Sequence, residues 1–320
     1  MSISVTPGEK TKPDDRASAH GVRSSRPSRA KRLEALKGWL FVGPLILGIV
    51  AFQLLPLGIS VFASLTTWDG VTTPRFVGFD NYVHLFSSDP QFWTTLRNTA
   101  VFTVCVIPLT VVAALLLAVL CNGKGRFSNA FFRTAFFTPY VTSIVAIGLI
   151  WNQFFTPSGV LNKALATIGV SGPGWLTDVD WALPAVILVS AWHAIGYPMV
   201  ILIAGLQAIP ESLYEAARID GAGPARRFFR ITIPLLTPQL FYVLITQIIA
   251  SFQVFALIFV MTKGGPGTAT SVYIYYLYQK AFTFGELGSA SAMAWILFAL
   301  IGLVTFAQLR LQKRWVFYND

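Results

Sequence analysis

Charge is what this sequence has least of. Only 12% of its 320 residues are Asp, Glu, Lys or Arg, against about a quarter in a soluble domain. The shortfall is concentrated in six runs that hold no charged residue at all: 38–65, 98–121, 134–155, 183–207, 239–262 and 288–309. Each run reaches or exceeds the roughly 20 residues that carry a helix across about 30 Å of hydrocarbon, so an ordinary soluble core is excluded. Open strands would leave backbone groups unpaired in lipid. The fold class that follows is an all-α integral membrane protein with six transmembrane helices.

Other absences narrow the function. Cys105 and Cys121 are the only cysteines. They fall in one run, and 16 residues at 1.5 Å each separates them by roughly 24 Å, too far to bridge. No disulfide or thiolate metal site follows. Ion-driven carriers keep acids or bases at mid-membrane to relay protons or sodium, and the runs offer only His193, in "SAWHAIGYP". A lone histidine there reads as a hydrogen-bonded packing residue or as a ligand. The chain has no G-x-x-x-x-G-K-[ST] phosphate loop and no H-E-x-x-H zinc pair. With no catalytic constellation, the chain reads as a non-catalytic subunit, and the energy for any transport must come from elsewhere. A carrier or channel acting alone is the alternative reading.

What is present is basic charge, with a net of +10. Nine Lys and Arg lie in 1–37, a Ser/Pro-rich stretch expected to be a disordered basic tail. With Lys124, Arg126, Arg133, Arg218, Arg226, Arg227, Arg230, Arg310, Lys313 and Arg314 they place nineteen on one side of a six-span topology. Only Arg75, Arg97, Lys163, Lys263 and Lys280 fall on the other. Positive charge marks the cytoplasmic face, so both termini are expected inside. The charge is then a topology signal, and no nucleic-acid partner is implied. Pro44, Pro56, Pro108, Pro139, Pro184 and Pro198 punctuate the runs, with Gly148, Gly196 and Gly205. Such irregularity suits either ordinary membrane helices or a bundle around a polar cavity.

One cytoplasmic segment breaks the pattern: "YEAARIDGAGPARRFFRITIPLLTP", residues 214–238, with two acids and four arginines between apolar runs. Pro210 and Glu211 suit a helix start. Gly221 suits the left-handed position that ends a helix, and Pro224 can open a second short helix that stops near Pro234. Small alanines and the apolar Phe228 and Phe229 fit a docking element for a cytoplasmic partner. A helix resting on lipid headgroups would use the same residues.

The segment also resembles a known motif. Glu215-Ala216-Ala217, Asp220-Gly221, Phe228 and Ile233-Pro234 are similar to the EAA loop of the permeases of binding-protein-dependent ABC importers. The stretches "FVGFDNYVHLFSSDPQFWTTLRNT" and "TKGGPGTATSVYIYYLYQKAF" are most similar to the first of the two permease subunits of maltose-type carbohydrate importers. The resemblance covers about 38–316, taken as one permease domain with its coupling loop at 208–238. It lacks the extra N-terminal spans and large external domain of the family prototype. It implies a type I importer fold in the bacterial inner membrane and a role as the sugar-conducting permease. It also implies a second homologous permease, two ATPase subunits that bind ATP and Mg, and an extracytoplasmic solute-binding protein. No cofactor is expected in this chain. Glu215, Ala216, Ala217, Asp220, Gly221, Phe228 and Pro234 would couple to the ATPase. The spans flanking the loop would meet substrate, here through Ser190, Trp192, His193, Gly196, Tyr197, Gln247 and Ser251. Gln247 and Ser251 share a helical face, from which Gln253 is expected to point away. Where the prototype has asparagines this chain has Ser251 and Val254, and each of these residues also suits contacts between helices.

Overall fold

Helix α1 (Arg29–Ile49) runs through a π-turn at Val50–Leu54 into α2 (Leu55–Ser64), and the stretch Lys37–Ser64 is apolar enough to cross a membrane. The computed structural model describes residues 29–122 and 126–317. Helix α1 therefore begins within the expected basic tail, whose first 28 residues lie outside the described ones. The chain divides into two units, 1–57 and 58–320, and everything below concerns the second.

A short antiparallel hairpin, β1 (Thr66–Thr67) with β2 (Arg75–Phe76), and α3 (Asp80–Ser87) lead into α4 (Pro90–Leu120). Asp89 explains where α4 starts. Its Oδ1 accepts the backbone N–H groups of Gln91 and Phe92 at 3.0 and 3.1 Å, while Pro90 occupies the first turn, where a missing N–H is harmless. Thr95, Thr99, Phe102, Val106, Thr110, Ala114 and Ala118 then form a buried stripe at three- and four-residue spacing. This helix is the spine of the bundle.

The third uncharged run, expected to be one span interrupted at Pro139, is two helices. α5 (Arg126–Val141) and α6 (Ile144–Phe154) meet at 98°. Thr134, Thr138 and Thr142 each donate a hydroxyl to the carbonyl four residues back, and Pro139 has no N–H to give. Both features weaken the helical ladder, and Ser143 then turns extended at φ −55°, ψ 121°. The fourth run is α8 (Val179–Ala194) and α9 (Gly196–Ala208), after the short α7 (Val160–Thr167), and it bends by 43° at Ile195. Pro198 leaves the Ala194 carbonyl without its helical donor, which accounts for this kink.

The chain continues through α10 (Glu211–Ile219), α11 (Pro224–Arg227), a π-turn at Phe228–Thr232 and α12 (Ile233–Leu235). Then come α13 (Thr237–Phe252), α14 (Ala256–Met261), α15 (Tyr273–Tyr278), a further π-turn at Gln279–Thr283, and α16 (Leu287–Gln312). The six charge-free runs thus map onto four stretches able to span unaided and two bent pairs. Around α4 one apolar cluster joins Phe102, Val106, Val186, Val189, Leu257 and Ile258. A second joins Ala114, Ala118, Met199, Leu202 and Leu236. Lipid is as apolar as leucine, so the gain here comes from close packing, and fully buried Ala114 and Ala118 let α9 approach.

Candidate functional site

Between α4, the α5–α6 bend, the α8–α9 kink and α13 lies a cavity of about 460 Å³. Its wall includes a break in the fifth run. α13 stops at Phe252, and Gln253, Val254 and Phe255 are non-helical before α14 resumes. Backbone freed from a helix at membrane depth is tolerated where it faces a cavity, and all three residues line this one. The break corrects the expectation for Gln253. Projected along a straight helix it points away, but the chain leaves the helix at that residue and turns it into the cavity.

The structure brings five of the seven proposed path residues to the cavity: Ser190, His193, Tyr197, Gln247 and Ser251. Trp192 and Gly196 are not among its lining. Trp192 packs edge-on against Trp151, with ring centroids 5.6 Å apart. Gly196 sits where α5 crosses the kink: a Cβ there would meet the Phe136 carbonyl oxygen and Phe137 Cα at 2.9 Å. Ser190 Oγ and His193 Nε2 are buried with no hydrogen-bond partner among the described residues. The imidazole meets the Tyr140 ring, with centroids 6.1 Å apart, linking α8 to the α5–α6 bend. Ser251 Oγ donates to the Ile248 carbonyl at 2.8 Å. Tyr140 stacks on Tyr197, with centroids 5.5 Å apart and planes 22° apart, and the Tyr197 and Tyr242 hydroxyls share a 2.8 Å hydrogen bond. Sequence reasoning missed Tyr140, Thr246 and Phe255 on the wall. For Tyr140 the neighbouring Pro139 was a usable signal of a break; Phe255 has no glycine or proline near it.

At the end of the bundle reached by α9, the 208–238 segment folds into two helical arms about a glycine. Gly221 takes φ +74°. The Ala222 N–H donates to the Ala217 carbonyl at 2.8 Å, and the Gly221 N–H to that of Arg218 at 3.1 Å. This is the Schellman pair that closes a helix over a left-handed residue. α10 buries none of its residues; Glu215, Ala216 and Asp220 are exposed, and Ile219 is 86% exposed. The Tyr214 and Thr232 hydroxyls share a 2.9 Å hydrogen bond that ties α10 to the π-turn. The second arm carries Phe228, half-buried, and runs through Pro234 to end at Leu235.

The family model described as the inner membrane component of binding-protein-dependent transport systems matches residues 107–318, from within α4 past the end of α16. The chain belongs to this family. As a permease of that family it is similar along nearly its whole length to the probable ABC transporter permease protein YesP of Bacillus subtilis, at 36% identity over 94% of this chain and 98% of that one. The lactose transport system permease protein LacF of Rhizobium radiobacter is also 36% identical, over 88% of this chain and 95% of its own. Among solved structures, a bacterial alginate ABC transporter in complex with an alginate-bound periplasmic protein superposes with a TM-score of 0.78. That match covers 89% of this chain and 96% of the other at 24% identity, and it supports the permease fold.

At the opposite end of the permease an ion network, buried at Asp89 and Lys280 and exposed at Glu286, joins three elements. Lys280 Nζ lies 2.8 Å from Glu286 Oε2 and 3.2 Å from Asp89 Oδ2, and the Tyr276 hydroxyl donates to Asp89 Oδ2 at 2.6 Å. Burial by itself would raise the Asp89 carboxyl, but Tyr276, the Phe92 amide and Lys280 together hold it below its ordinary value. Burial likewise opposes the charge on Lys280, yet Glu286, Tyr276 and Asp89 hold its pKa well above the usual. Burial and then the bond to Asp89 push Tyr276 up to about 12. The side chain of Asn98 secures the adjoining loop, donating to the Thr268 and Ser271 carbonyls at 2.9 and 3.0 Å.

Proposed function

We propose that this permease is one half of the translocation path of an ATP-driven sugar importer in a bacterial inner membrane, with both termini and the 208–238 segment cytoplasmic. A second homologous permease completes the path. Of two ATPase subunits, which bind ATP and Mg, one docks on the α10–Gly221–α11 turn, and a solute-binding protein delivers substrate to the opposite end. The observation that carries this reading is α10: a helix with an alanine-rich surface, buried nowhere in its own chain, fixed at one end by a Schellman turn and at the other by the Tyr214–Thr232 bond. This chain is itself non-catalytic and needs no cofactor. It contributes the path and the docking surface.

The cavity chemistry supports a neutral sugar as cargo. No Asp, Glu, Lys or Arg is among its lining residues. A phosphorylated substrate would bring charge into a low-dielectric space without a cation to meet it. Ser190, Gln247 and Gln253 offer hydrogen bonds, and Tyr140 and Tyr197 offer aromatic faces. The complete transporter, reconstituted with its binding protein, is presented with lactose, maltose, N-acetylglucosamine and glucose 6-phosphate in radiolabelled form. Import of a neutral sugar that requires both MgATP and the binding protein supports the reading. Import of glucose 6-phosphate alone overturns the cargo class, and import without ATP overturns the mechanism.

A further inference from the structure

α16 ends at Gln312, and the chain then doubles back. The Arg314 N–H donates to the Leu311 carbonyl at 3.0 Å, and the Val316 N–H to that of Gln312 at 2.9 Å. This turn lays residues 313–317 across the start of α13. The Phe317 N–H donates to Thr237 Oγ1 at 2.9 Å, and the Trp315 ring meets Phe241 edge-on with centroids 5.9 Å apart. Thr237 and Phe241 are buried.

The Thr237 hydroxyl also acts as a donor, giving its proton to the Pro234 carbonyl at 2.6 Å. In a continuous helix that carbonyl would accept the N–H four residues on, but residue 238 is proline and has none. One hydroxyl therefore stands in for the N–H that Pro238 lacks between α12 and α13, and one of its two lone pairs is taken by the terminal segment. The joint lies at the base of the arm that leads from the Gly221 turn, and the Tyr214–Thr232 bond fixes α10 to that same arm. Thus α10 connects by named hydrogen bonds and one short helix to residues 313–317.

We propose that residues 313–317 form a strut that sets the angle of the coupling segment through Thr237, making Thr237 and Trp315 positioning residues for energy coupling. The proposal rests on reading 208–238 as the segment that docks the ATPase. A strut holds α10 in the docked orientation before the ATPase arrives, so its loss frees the segment to move while the membrane bundle stays folded.

The test uses the intact transporter in lipid nanodiscs, with labelled ATPase subunits chased by an excess of unlabelled ones. Thr237→Val removes the hydroxyl at constant shape. It is expected to speed ATPase dissociation about ten-fold, equivalent to about 1.4 kcal/mol. Deletion of residues 315–320 is expected to do the same, and Thr237→Ser to restore the native rate. A merely structural role would lower the yield of complex without changing the dissociation rate of what assembles. Gly221→Val separates the two levels of the argument. If it speeds dissociation while Thr237→Val or the deletion does not, the strut is wrong and the docking segment stands. If Gly221→Val leaves the rate unchanged, the docking reading fails and takes the strut with it.

Discussion

Replacing Gly196 with alanine tests whether the α5–α8/α9 crossing shapes the cavity. The added Cβ would lie 2.9 Å from the Phe136 carbonyl oxygen, 2.9 Å from Phe137 Cα and 3.1 Å from Tyr140 Cβ. Two of these are backbone atoms of a packed helix, so no side-chain rotation relieves the overlap. α5 must retreat by about half an ångström to reach ordinary contact distance. Overpacking of this kind costs about 1–3 kcal/mol, and about 2 kcal/mol is a factor of about 30 in a folding equilibrium. Tyr140 moves with α5, taking with it the ring that stacks on Tyr197 over the cavity. Gly196→Ala should therefore lower both the melting temperature of the purified complex and the import rate. Gly302→Ala is the control, since a Cβ there meets nothing within 4 Å, and it should melt like the native protein. Native melting and native import by Gly196→Ala would refute the claim that this crossing positions the wall.

Two further outcomes follow from buried polar groups. Lys280→Met leaves Asp89 buried beside Tyr276 without its cation. Loss of one partner of a buried pair costs about 3 kcal/mol or more, so the melting temperature should fall by several degrees while Arg75→Met, an exposed position, should change little. The depressed Asp89 pKa contributes stability above its ordinary value of 3.8 that is lost as pH falls through the lower folded value. The raised Lys280 pKa contributes stability below its ordinary value of 10.5 that is lost only as pH rises through the higher folded value. Native melting should be flat between, and it should drop in acid more steeply than in Lys280→Met, whose Asp89 has lost the cation that depresses it. In the cavity, Ser190→Ala should leave melting unchanged or slightly raised, because Ser190 Oγ has no partner to lose among the described residues. It should raise the concentration of sugar needed for half-maximal import, and an unchanged import curve would remove Ser190 from the path.

Much of this architecture is legible in the sequence because lipid imposes a blunt rule. A run without charge must be helical, and all six runs are found on helices. The 43° kink is legible in Pro198, and the turn of the exposed segment in Gly221. The break at Gln253–Phe255 is not, since "SFQVFA" holds no glycine or proline and the local pattern favours an unbroken helix. The cavity itself makes the break tolerable, and a cavity is a property of several helices together. Lys280 shows the same limit: it counts as one of five basic residues on the far side, yet it is only 6% exposed. Its partner Asp89 is 191 positions earlier in the chain, beyond the reach of any local reading.

The central claim is that α10 and the Gly221 turn receive the ATPase subunit, and a site-specific contact test addresses it most directly. A photo-crosslinking amino acid replaces Ala216 on the exposed surface of α10, or Leu303 on the exposed apolar surface of α16, in the purified intact transporter. Irradiation should join position 216 to the ATPase subunit, and Glu215→Lys in the same chain should reduce that product together with import. Position 303 should give no such product. If position 216 crosslinks only to lipid while the transporter remains active, α10 rests on the membrane surface and the energy enters this permease elsewhere.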